Sequence, residues 1–163
     1  MELNSTTQVG GRHMRRHDRE LSESESKELL ARGEYGILCT CGQDGMPYGV
    51  PVNYVYDGVC IGFHSALEGH KVQNLCENSR VCFTVVGATR VLPGKFSTLY
   101  ESTVAFGKVV TVEGERKLSI LRSLVEKYSS DFCAAGEMYI AAACEQVSVY
   151  EMQIERLSGK AHR

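Results

Sequence analysis

Residues 46–56, MPYGVPVNYVY, carry two prolines four positions apart in a stretch whose residue types alternate as on a β-strand. Tyr48, Val50, Val52, Tyr54 and Tyr56 fall on one face and suit a barrel wall. Pro47, Gly49, Pro51 and Asn53 form the other set. Backbone N–H groups also alternate between the two edges of a strand, so both prolines strip donors from the same edge. A continuous neighbour on that edge would lose two ladder bonds. The pattern therefore predicts a free edge, with the amides of Gly49 and Asn53 facing the opening. Free amides on a rigid edge can hold the polar rim of a flat ligand. An edge strand blunted against aggregation explains the same prolines without any ligand.

The surrounding sequence predicts a mainly β (α+β) chain: a six-stranded antiparallel split β-barrel with short flanking helices. The strands are expected at 35–41, 46–56, 59–64, 80–86, 100–112 (bent at Gly107) and 147–157. Ser22 and Glu25 make a capping-box pattern for a helix that stops at Gly33. Further helices are expected at 68–78, 114–128 and 138–144, and a loop at 87–95. Sixteen glycines suit the many tight turns this requires. Residues 1–13 read as a disordered tail, and 14–163 as a single domain.

Charge and cysteine content narrow the function. A net charge of −2 gives no general field toward nucleic acid or acidic membranes. Arg12, His13, Arg15, Arg16 and His17 cluster, but one such cluster in a near-neutral chain reads as a solvated arm or as partners for the acidic stretch that follows. No apolar run is long enough to span a bilayer, and no secretory signal is visible. The seven cysteines form no Cys-x-x-Cys pair and fit no zinc pattern. They imply a cytoplasmic protein whose reduced thiols act as small core hydrophobes.

Residues 63–71, FHSALEGHK, stand at a strand-to-helix junction. A helix start presents unpaired N–H groups and positive partial charge. Ser65 can donate through its hydroxyl, Gly69 permits close backbone approach, His70 can donate from its ring, and Lys71 carries a full positive charge. Together they make a phosphate cradle. Taken singly, each has a plainer reading: Ser65 as an N-cap, Lys71 on a solvated face, His64 and His70 bonded to nearby carbonyls. Their coincidence within nine residues favours a ligand. Glu68 fits a phosphate site only if it points away.

The stretches DGMPYGVPVNYVYDG, IGFHSALEGHK, NSRVCFTVVG and KFSTLYESTVAFGKV resemble the nitroimidazole-resistance branch of the pyridoxamine-5′-phosphate-oxidase-like, FMN-binding split-barrel proteins. The resemblance covers about residues 14–160. It implies a homodimer with FMN in two clefts at the dimer interface. It places the flavin ring along Val50, Pro51, Val52 and Asn53, and sets His64 and Ser65 on the ribityl and phosphate path. His70 and Lys71 fall where oxidase relatives keep a basic phosphate pair. With His in place of Arg, the bidentate phosphate grip is lost at that position and His70 is free to turn toward the ring or a substrate. Ser97, Tyr100 and Ser102 are candidates for the flavin edge or for a wall supplied by the partner subunit. Gly62 stands where Tyr is common before Phe-His-Ser, which implies extra room.

Three functions follow as expectations. The first is an FMN-dependent oxidoreductase that takes electrons from NAD(P)H and reduces a small electrophile such as a nitroaromatic. No Gly-x-Gly-x-x-Gly is present, so a nicotinamide would bind transiently at the open flavin face. The second is a non-catalytic flavin store or sensor, stabilised by its ligand through mass action. The third, a haem or metal protein using His64, His70 and nearby Cys60 or Cys41, has less in its favour. No resident metal is expected.

Overall fold

The computed structural model describes residues 14–163, so the tail expected at 1–13 lies outside the described residues. The chain runs β1 (Glu20–Leu21), α1 (Glu23–Arg32), β2 (Gly36–Cys41), β3 (Pro47–Val52), β4 (Val55–Tyr56), β5 (Cys60–Ala66), α2 (His70–Glu77), β6 (Arg80–Leu92), β7 (Ser97–Val112), α3 (Gly114–Ser129), α4 (Cys133–Ala143) and β8 (Val147–His162). All strands join one antiparallel sheet in the order β3-β2-β6-β7-β8-β5-β4, with β1 added to β8. The two ends of this order are consecutive in the chain, linked only by Asn53 and Tyr54. The sheet therefore curls back on itself, and its seam is bridged by two residues rather than by a ladder. This is the split barrel expected, with eight strands instead of six. No helix among the described residues is long and apolar enough to cross a membrane.

Alternation decides what fills the barrel. Leu38, Val52, Ile61, Phe63, Phe83, Val85 and Met152 point inward and form one buried cluster with Tyr54. A second cluster forms where α3 lies on the sheet, around Ile120, Leu121, Leu124, Ile140 and Val149. Gly62 is the reason α3 can lie so close: a Cβ there would meet Ile120 Cγ2 at 2.9 Å. The room expected at Gly62 is thus filled by the chain's own helix.

The capping box of α1 is present, with Glu25 N–H donating to Ser22 Oγ (3.2 Å) and Ser22 N–H to Glu25 Oε2 (2.9 Å). Gly33 follows the helix, yet its φ of −64° is open to any residue. Glycine is needed there for space, because a Cβ would lie 2.5 Å from Val85 Cγ1 and 2.6 Å from Tyr54 Oη.

Several expected elements change, among them the helix expected at 138–144, which starts five residues earlier at Cys133, and the strand expected to end at His64, which runs on to Ala66. The strand at 46–56 breaks at Asn53–Tyr54, because the Tyr54 peptide finds its partners on α3 instead of in a ladder. The helix expected from Glu68 starts at His70, since Gly69 has φ +135° and cannot be helical. The loop expected at 87–95 is a hairpin arm: β6 absorbs Gly87 and Ala88 in a register shift and stays paired with β7 to Leu92 opposite Ser97. The bulge hides the alternation that would have shown a strand. β8 runs on to His162, with the bend at Gly107 present as a register shift against β8.

None of the seven thiols, all free, is fully buried; Cys76 and Cys133 are exposed and the rest half-buried. They sit on outward strand faces and at helix ends, not in the core. Cys39 and Cys82 are direct cross-strand partners. Burial, then the neighbouring Cys39 thiol, pushes the Cys82 thiol up to about 11.

Candidate functional site

Strand β3 ends the sheet, and β2 is its one partner among the described residues. Pro47, Gly49 and Pro51 are exposed, Tyr48 and Val50 half-buried, and Val52 buried. The edge expected to be open is open.

The seam continues that edge. Tyr54 N–H donates to Tyr128 Oη at 3.0 Å, and Tyr128 donates to the Glu34 carbonyl at 2.6 Å. Lys127 Nζ donates to the carbonyls of Gly33 (2.7 Å) and Tyr54 (3.0 Å), and lies 3.9 Å from the centre of the Tyr54 ring. Burial holds the Lys127 pKa below its usual value. Tyr54 Oη donates to the Leu30 carbonyl at 2.5 Å. The C-terminal end of α3 thus locks the link on which Asn53 is carried. Sequence reasoning missed both residues: on a helix read for its apolar spacing, Lys127 and Tyr128 look like a solvated charge and a core ring.

Strand β5 brings His64 and Ser65 to opposite faces. Ser65 is buried, lies within the strand opposite Ser148, and is not the cap of α2, a place taken by Gly69. His64 points outward. Burial, then the positive charge of Lys71, keeps its pKa below 6.5. The first turn of α2 supplies His70 and Lys71. The His70 ring lies against Tyr48 with centroids 4.2 Å apart. A Cβ at Gly69 would meet nothing within 4 Å, so the space over this turn is open. His70 thus stands beside the free strand through Tyr48, with Lys71 next to it in the chain and the Lys71 charge acting on His64.

Asn53 joins the same group. In the β4–β5 register Val55 faces Gly62. Asn53, just before β4, and His64 both line a cavity of about 390 Å³ roofed by α3 and α4.

Ser97, Tyr100 and Ser102 lie elsewhere, on the β6–β7 arm against the end of β8. Ser97 Oγ is 3.4 Å from His162 Nδ1, and His162 Nδ1 is 2.9 Å from the Thr98 carbonyl. Burial would raise the Tyr100 pKa, but hydrogen bonds from Lys160 and Arg19, with their charges, bring it below its usual value. These three residues share no hydrogen bond or ring contact with the His64–Lys71 group in one chain. Of the N-terminal basic cluster, Arg12 and His13 lie outside the described residues, and Arg16 pairs with Asp18 of the following acidic stretch at 2.5 Å.

The chain is thus a split barrel whose β3 edge is unpaired, with a basic turn beside that edge and an apolar cavity behind it. Residues 22–161 match the family model described as pyridoxamine 5′-phosphate oxidase, and the chain belongs to that family. No curated protein matches it closely enough to add a further relative. Among solved structures, it is similar to a candidate 5-nitroimidazole antibiotic resistance protein from Bacteroides thetaiotaomicron (22% identity, 92% of this chain and 96% of that one, TM-score 0.70). It is also similar to the conserved hypothetical protein Rv2991 from Mycobacterium tuberculosis (21% identity, 93% and 91%, TM-score 0.78). A third is the FAD and heme binding protein from Mycobacterium smegmatis (17% identity, 89% and 74%, TM-score 0.74). At these identities the likeness establishes the fold.

Proposed function

We propose that this protein binds FMN along the free edge of β3 and acts as an oxidoreductase toward a small electrophile such as a nitroaromatic, with NAD(P)H as electron donor. The observation that carries this reading is the junction of the unpaired β3 edge with the His64–His70–Lys71 cluster through the Tyr48–His70 ring contact. Family membership and structural neighbours named for flavin binding support it.

The residues present fit such a group. The exposed Gly49 and Pro51 leave the strand edge accessible to a flat ring, and the open space at Gly69 admits a phosphate over α2. Lys71 would hold that phosphate, and Asn53, fixed through the Tyr54 link, would meet the polar rim. When bound, the flavin would supply two-electron transfer. His64, neutral at pH 7 because its pKa is lowered, can accept a proton at its free ring nitrogen or pass one on.

A second copy of the chain would complete the site. Val86, Val91 and the 99%-exposed Phe96 on the β6–β7 arm suit burial against a partner, which would also bring Ser97, Tyr100 and Ser102 to the flavin. Seven free thiols suit a reducing, cytoplasmic setting.

Purified protein should show a two-band flavin spectrum, release FMN by mass spectrometry, and elute as a dimer. It should consume NADH or NADPH when a nitroaromatic is added. Saturated FMN without turnover across a panel of donors and acceptors would make it a flavin store, and an intense Soret band would make it a haem protein.

A further inference from the structure

The edge hairpin is held to the barrel by a short joint. Strand β3 pairs with β2 from Gly36–Val52 to Cys41–Pro47, and β2 is its one partner among the described residues. Strand β2 in turn meets β6 only at Ile37–Thr84, Leu38–Phe83 and Cys39–Cys82. The neighbouring β6–β7 and β7–β8 ladders run nearly the whole length of their strands. The joint that carries the free edge therefore ends in two cysteines that face each other.

Both thiols point outward. Leu38 and Thr40 beside Cys39 are buried, as are Val81 and Phe83 beside Cys82, so alternation turns the two thiols to the outer face of the sheet. Directly opposed residues of an antiparallel pair have Cα atoms about 4.5–5.5 Å apart, within the range of about 4.4–6.8 Å that a disulfide spans. The thiols act on each other directly, Cys39 reaching Cys82 by charge and by hydrogen bond. Both are free and half-buried. No other two of the seven cysteines are register partners.

Their surroundings differ. Opposite Cys39 on β3 stands Gly49, exposed and without a side chain; even a Cβ there would lie 3.6 Å from Cys39 Sγ. Opposite Cys82 on β7 stands Phe106, with the Arg156 guanidinium 4.2 Å from its ring centre. A small reagent reaches Cys39 over Gly49, while Cys82 is hemmed in by the ring. Burial also keeps the Cys82 thiol protonated at neutral pH, which makes it the slower attacker.

We propose that Cys39 and Cys82 form a reversible thiol–disulfide switch that staples the β2–β3 edge hairpin to β6, closed by exchange with a small disulfide such as oxidised glutathione. The Cys39 thiolate attacks one sulfur of the reagent and breaks its S–S bond, which releases one glutathione and leaves the other on Cys39. Cys82 then gives up its proton and attacks the Cys39 sulfur, which releases the second glutathione. The two protein thiols lose two electrons and two protons, and the reagent gains both and leaves as two thiols. Excess reduced glutathione reverses each step. The switch stands on the sheet register and does not depend on a bound flavin.

The test equilibrates the purified full chain in glutathione buffers of graded oxidised-to-reduced ratio, alkylates the free thiols and reads the peptides by mass spectrometry. The Cys39–Cys82 link should form in the folded protein at an oxidant ratio at least tenfold lower than in the chain unfolded by urea, and dithiothreitol should remove it. In Cys82→Ser the same buffers should leave one glutathione on Cys39. Amide hydrogen exchange in Gly36–Cys41 and Pro47–Val52 should slow at least threefold when the parent protein is oxidised, and not in Cys82→Ser. The proposal is overturned if no link forms while the exposed Cys76 and Cys133 take up glutathione, if Cys39 and Cys82 carry separate glutathiones, or if the link forms equally well in urea. A link that leaves exchange of the edge hairpin unchanged would overturn it too, as would an unmodified Cys39 or equally slowed exchange in folded Cys82→Ser. Link and exchange are both measured on the parent protein, so the test holds even where Cys82→Ser does not fold.

Discussion

Tyr48 of β3 and His70 of α2 lie face to face, ring centroids 4.2 Å apart and planes inclined by 33°. This contact ties the free edge of the barrel to the first turn of α2, which carries the His70–Lys71 pair. With His70 engaged on Tyr48, Lys71 is the cation left to meet an anion over the open turn. Its charge already reaches His64.

Lys71→Ala should therefore weaken FMN retention at least tenfold, measured by equilibrium dialysis, while the flavin-free protein melts at nearly the same temperature. The His64 imidazole pKa should rise at the same time, because a charge that lowers it is gone; NMR titration reads this without any flavin. Full flavin occupancy in the variant would remove Lys71 from the phosphate site.

The β3 edge can be tested by giving it back a donor. Pro51→Val adds an N–H to an edge with no ladder partner, so nothing folded is gained. The unfolded chain becomes more flexible, which costs about 0.4–1 kcal/mol. Urea unfolding should show a loss no larger than that. A gain in stability of the monomer would mean that the edge is paired.

The sequence made much of this legible, and the losses have physical causes. Alternation and proline spacing revealed β3 and its free edge because both depend on local geometry alone. The capping box of α1 and the apolar stripe of α3 were readable for the same reason. The β6–β7 arm was not, since Gly87 and Ala88 form a bulge that interrupts the period of two. His64 and Ser65 could be named but not placed: a longer β5 puts them on opposite faces, which only the strand's true end decides. The cavity was out of reach, because Leu121 and Ile140 come together only when α4 folds onto α3. Likewise nothing local to Lys127 announces a bond to Gly33, which lies far away in the chain.

That seam lock has a measurable worth. Lys127→Met keeps the packing of the stem but leaves the Gly33 and Tyr54 carbonyls without the ammonium. Hydrogen bonds to a charged donor contribute about 1.5–3 kcal/mol each in favourable cases, and a partly exposed pair sits at the low end. The expected loss is about 2–3 kcal/mol in chemical unfolding. Tyr54→Phe should cost about 1 kcal/mol, through the bond to Leu30 alone. The two changes share the Tyr54 ring and link, so the double variant should fall short of their sum. Full additivity would mean that the lysine and the tyrosine act independently at the seam.

His64 supplies a pH test whose sign is fixed. Its pKa in the folded chain lies below 6.5, first through burial and then through Lys71. As pH falls, the unfolded chain therefore takes up this proton before the folded one does. The unfolded state binds more protons in that window, so stability rises with pH across it. The contribution of His64 is complete above the unfolded value of 6.5 and is lost as pH drops toward the folded value. Comparing the protein with His64→Asn removes the other titrating groups from the result. The difference in unfolding free energy should be flat above about pH 7.5, where histidine is neutral in both states. It should then shift against the parent protein between pH 6.5 and the folded pKa, and level off below it. Repeating the comparison in the Lys71→Ala background should shrink the shift, because one of its two causes is absent. A parent protein that instead gains on the variant as pH falls would show a histidine paired with an anion, and would take away its neutral place beside Asn53.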